Sequence, residues 1–114
     1  MNFSENQING LKSITPNLKT VQEGGYSYFY IEGLKLPEGC LPNIVDALLC
    51  PTPLPNYQSR LYFSSKISGL GSSGRNWNGK LRAIGQNWFA ISWQTKSGLS
   101  LVEMLSIHLK ALKK

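Results

Sequence analysis

Three prolines fall within the five residues Pro51-Thr-Pro-Leu-Pro55, and no other feature constrains the fold of this chain as strongly. Proline has no N–H to give to a β-ladder and holds φ at about −65°. The run Cys50-Pro-Thr-Pro-Leu-Pro-Asn-Tyr57 must therefore interrupt any sheet that contains it. Yet it stands between two apolar stretches, Val45-Asp-Ala-Leu-Leu49 and Arg60-Leu-Tyr-Phe63, that read as strands. A stiff, non-pairing spacer between two strands also keeps that part of the sheet from recruiting another chain. On composition alone, a rigid loop is a sufficient reading of it.

The flanking pattern supplies the rest of the architecture. Ser4 is placed to cap a short helix over Ser4–Ser13, with Ile8 and Leu11 three apart and Pro16 forbidding much extension. Gly24-Gly25 separates two aromatic and β-branched stretches between Lys19 and Ile31, the signature of an antiparallel hairpin. Leu34–Asn43, with Pro37, Gly39 and Pro42, reads as a loop; Ile44–Leu49 is a third strand and Ser59–Ile67 a fourth. Short strands are expected at Lys80–Ile84 and Trp88–Trp93. Ser100-Leu-Val-Glu103 has the form of a capping box, and Leu101, Leu105, His108 or Leu109, and Leu112 then recur at helical spacing. The expectation is an α+β domain: a short N-terminal helix, a four-stranded antiparallel meander, an irregular stretch, and a C-terminal helix packed on the sheet.

The 114 residues suit a single domain, 1–114, with one core. With 41% hydrophobic and 16% charged residues the composition is that of a globular protein rather than a disordered one. No apolar run approaches the roughly 18 residues of a membrane span. Met1–Gln7 lacks the basic and apolar regions of a signal peptide, so a cytoplasmic location is expected, with Cys40 and Cys50 as thiols in a reducing compartment.

The net charge of +6 permits an acidic partner. The cations are spread from Lys12 to Lys114, however, and Lys110, Lys113 and Lys114 suit the C-terminal end of a helix. A basic nucleic-acid-binding module is therefore the more remote alternative. Gly69-Leu-Gly-Ser-Ser-Gly74 matches G-x-G-x-x-G, but Arg75-Asn-Trp-Asn-Gly79 after it reads as loop rather than the helix a dinucleotide site needs. It is read as a flexible connection, with no cofactor. No Cys/His cluster has zinc spacing, and no metal is expected.

Leu49-Cys-Pro-Thr-Pro-Leu-Pro-Asn-Tyr57 followed by Arg60-Leu-Tyr-Phe-Ser-Ser-Lys-Ile67 resembles the segment of ubiquitin-conjugating (E2) folds in which a strand leads through a proline-and-tyrosine loop into the next strand. Leu36-Pro-Glu-Gly39, Asp46-Ala-Leu-Leu49, Leu61-Tyr-Phe63, Trp88–Ser92 and the closing helix, taken in order, resemble the bacterial group called prokaryotic E2 family E. The resemblance spans roughly Thr20 to the C-terminus. It implies an E2/UBC-like fold and a place in a bacterial ubiquitin-like conjugation pathway. The partners would be an E1-like, ThiF-type adenylating enzyme and a ubiquitin-like protein.

An ordinary E2 carries its cargo as a thioester on a cysteine after the fourth strand, preceded by His-Pro-Asn. Neither feature is present, since no cysteine follows Cys50. Cys50 is expected to be a buried small hydrophobe, and Cys40, in the Gly39-Cys-Leu-Pro42 loop, to be more exposed. In family E a Ser-Arg-His triplet closes the Trp-containing segment. Here Ser92 is retained, while Trp93 and Gln94 replace the other two. Ser92 is thus the candidate nucleophile, which would hold the acyl group as an oxyester and needs a base. His108, the only histidine, is a weak candidate for that base; its place on the apolar side of the last helix suits a satisfied core residue better. The leading functional expectation is an E2-like carrier passing an activated C-terminus to an amine. The alternative is a catalytically inactive E2-like adaptor that binds the E1 or the ubiquitin-like protein.

Overall fold

The computed structural model describes residues 4–51, 59–69, 74–96 and 98–113. Of the proline run, Pro51 belongs to these and residues 52–58 lie outside them. Among the described residues two helices, α1 (Glu5–Ile14) and α2 (Leu101–Lys110), accompany six strands: β1 (Leu18–Glu23), β2 (Tyr26–Lys35), β3 (Ile44–Cys50), β4 (Arg60–Phe63), β5 (Gly79–Ala83) and β6 (Gln86–Ala90). They form one antiparallel sheet in the order β1-β2-β3-β4-β6-β5. The α+β class and the β1–β4 meander agree with the sequence. The count of four strands does not: β5 and β6 join the same sheet, because β6 pairs with β4 where Phe63 stands opposite Phe89.

Both helix starts follow from their caps. The Ser4 hydroxyl accepts the Gln7 N–H. At α2, the Ser100 hydroxyl accepts the Glu103 N–H and the Glu103 carboxylate accepts the Ser100 N–H, so two orphan donors are satisfied reciprocally. The first turns of the helices meet where Leu101 N–H donates to Gln7 Oε1.

Strand alternation sorts the core into two clusters on opposite faces. Phe29, Ile31, Ala47, Leu49, Leu61 and Phe63 face the helices and pack with Leu11, Leu101, Met104, Leu105 and Leu112. Tyr28, Leu48, Cys50, Tyr62, Trp88 and Ala90 point the other way. That second face is covered by the sheet itself. The Glu23 carboxylate, at the end of β1, accepts the Ile84 N–H in the β5–β6 turn at 3.1 Å, drawing the two ends of the sheet together into a curl. Inside it, burial is the largest cause that pushes the Tyr28 phenol up to about 12.

Three local departures from the sequence reading have identifiable causes. β2 runs on to Lys35 because Gly33, at φ 67°, carries the chain through an irregularity between Ile31 and Leu34. The Asp46 carboxylate accepts the Gly33 N–H there. β4 stops at Phe63, where the Ser64 hydroxyl accepts the Asp46 N–H and replaces a ladder bond. Cys40 is 1% exposed rather than open, since the Pro37–Cys40 turn folds it under α2 against the Leu112 carbonyl.

Candidate functional site

The candidate serine lies on the segment Ile91–Thr95, which leaves β6 and leads toward α2. Four groups hold this segment. Arg60 Nη2, from the start of β4, donates to the Ile91 carbonyl at 3.1 Å and to Asn78 Oδ1 at 2.5 Å. Ser92 N–H donates to the Asn76 carbonyl at 2.7 Å. The Arg75 guanidinium stacks 4.8 Å from the Trp93 ring centroid and donates from Nε to the Ala111 carbonyl, tying the segment to the end of α2. The Thr95 hydroxyl is 2.8 Å from the Ser59 hydroxyl.

Ser59 is the node of this arrangement. Its Oγ also lies 2.9 Å from His108 Nε2, so a residue just before β4 joins the segment after β6 to the last turn of α2. Ser59 is 1% exposed and His108 4%. Burial, and secondarily the charge of Arg60, lowers the His108 pKa to about 4, so the ring is neutral near pH 7.

Ser59 and His108 have the separation of a nucleophile and its base. A nucleophile must also be reached by its substrate, and this hydroxyl is sealed and shared with Thr95. The geometry is that of a satisfied polar node in the core. Sequence reasoning missed Ser59 and Thr95, because a lone serine beside a proline run carries no pattern that would mark it.

Ser92 is half-buried, two residues past the end of β6. His108 is buried and engaged by Ser59. The guanidinium groups that hold Ser92's segment, Arg60 and Arg75, act there as hydrogen-bond donors. The structure thus leaves the two sequence candidates in separate roles: Ser92 on a partly accessible segment, His108 inside the core.

Neither cysteine forms a disulfide, and both are buried, Cys50 at 0% exposure. Burial raises the Cys40 pKa, which disfavours the thiolate. Within the G-x-G-x-x-G stretch, residues 70–73 lie outside the described residues. Gly69 itself has a packing reason: at φ 90°, any Cβ there would collide with the Gly39 carbonyl. Among the described residues no group of His, Cys, Asp and Glu could hold a metal ion, and no helix is long and apolar enough to cross a membrane. Comparison with protein-family models, curated proteins and solved structures returns no match.

Proposed function

We propose that this chain is a catalytically inactive E2-like adaptor of a ubiquitin-like conjugation pathway, binding an E1-like adenylating enzyme or a ubiquitin-like protein without carrying the acyl group itself. The observation that carries the inactive part is the sealing of both thiols, Cys40 at 1% and Cys50 at 0% exposure, which closes them to a thioester donor. The engagement of the only histidine by Ser59 points the same way. The E2-like part rests on the sequence resemblance and is supported by the β1–β4 meander, its backing by α2, and the proline-bearing connection from β3 to β4. The test is co-elution of the purified chain with an E1-like enzyme at moderate salt. Retention supports an adaptor. A complex with nucleic acid that dissolves steeply with salt would replace this reading with the basic-module one.

One observation favours a second reading, the serine carrier. Ser92 keeps partial access to solvent. A carrier would form an adduct with the ubiquitin-like protein that resists thiol reductant and yields to alkaline hydroxylamine. Ser92→Ala would abolish that adduct, and Ser92→Cys would make it sensitive to reductant.

A further inference from the structure

We infer that the groove between the end of β2 and the last turns of α2 is a docking site for a protein segment that carries both acidic and apolar side chains. This rests on the groove alone and holds whether or not the E2-like reading does. One wall is Lys35-Leu36-Pro37, where β2 runs past the reach of β1: the last residue of β2 paired with β1 is Ile31. The other wall is Ser106, Leu109 and Lys110 of α2, spaced at i, i+3 and i+4 so that they share one helix face, with Lys113 just beyond the helix end. Between them lies a cavity of about 330 Å³, with Leu36, Pro37 and Leu109 as its apolar surface.

Charge complementarity selects the occupant. Every ionisable side chain among the described lining residues is a lysine, and Lys110 and Lys113 are exposed. Lysines at a helix C-terminus are partly explained by the helix dipole, but the dipole explains neither Lys35 nor the apolar wall. The apolar character extends outward: Ile44, the first residue of β3 and the antiparallel partner of Lys35, is 60% exposed. With Leu36, Pro37 and Leu109 it makes an apolar surface beside the lysines, which suits a protein-binding site. A nucleic-acid strand fits less well, because no aromatic ring among the described lining residues offers a base a stacking platform.

The test is a titration of the ¹⁵N-labelled protein with a short synthetic peptide of glutamate and leucine residues. The comparators are an all-glutamate peptide and a single-stranded oligothymidylate. The leucine-containing peptide is expected to shift the amides of Lys35, Leu36 and residues 106–113, and to bind more tightly than the all-glutamate peptide. Lys110→Glu combined with Lys113→Glu, both exposed and outside the core, should weaken binding about tenfold or more with an unchanged circular dichroism spectrum. The inference is overturned by shifts centred elsewhere, by an indifferent double variant, by tighter binding of the oligonucleotide to the same residues, or by no saturable binding.

Discussion

Ser59 Oγ stands 2.9 Å from His108 Nε2 across 49 residues of chain, with both side chains almost sealed from water. Through Thr95, and through its neighbour Arg60, Ser59 also fixes the segment that bears Ser92. The polar cluster therefore positions the candidate serine without supplying its chemistry.

Its first consequence is a dependence of stability on pH. Above about pH 6.5 the histidine is neutral in the folded and the unfolded chain alike. Between there and the folded value of about 4, the unfolded chain binds a proton that the folded one refuses. Stability should fall as pH falls through this window, by on the order of 3 kcal/mol in all. His108→Gln can still bond to Ser59 but does not titrate. Urea unfolding of the two proteins at several pH values should show the wild type losing more stability on acidification, and equal slopes would contradict the assignment.

Gly79 makes room for Arg60. A Cβ there would stand 2.8 Å from Arg60 Nη2 and 2.9 Å from Ala90 Cβ. Gly79→Ala is expected to cost ~1–3 kcal/mol by overpacking. It should also loosen the Ile91 anchor, seen as faster hydrogen exchange at residues 91–95. Unchanged stability and exchange would show that Arg60 does not hold this segment.

Leu105, 1% exposed, packs α2 on the helix-facing cluster. Leu105→Ala is expected to cost ~2–5 kcal/mol in denaturant unfolding. A loss below about 1 kcal/mol would make α2 peripheral.

Cys40 and Cys50 should react with a disulfide-exchange reagent only as fast as the chain opens, with rates that rise with urea. A thiol that reacts rapidly in native buffer would contradict the burial on which the inactive reading rests.

Much of the scaffold was legible because its signals are local. Gly24 and Gly25, with φ of 62° and 82°, make the β1–β2 turn where the sequence placed it. Ser100 and Glu103 form the capping box their spacing announces. The β5–β6 turn was harder to place, since it uses Ile84 at φ 52°, a conformation that β-branched residues rarely adopt. The membership of β5 and β6 in the main sheet depends on a pairing between Phe63 and Phe89 that no local pattern encodes. The site was the least legible part. Ser92 was found through resemblance to a motif, whereas Ser59, Thr95 and His108 meet only in three dimensions.

The central claim is that this chain binds without being acylated. Intact-mass spectrometry tests it most directly, on the chain incubated with ATP, a ThiF-type adenylating enzyme and a ubiquitin-like protein from the same genome. The account predicts an unmodified mass in a sample where the chain co-elutes with the enzyme. A hydroxylamine-sensitive mass increase equal to the ubiquitin-like protein, lost in Ser92→Ala, would contradict it and make the chain a serine carrier.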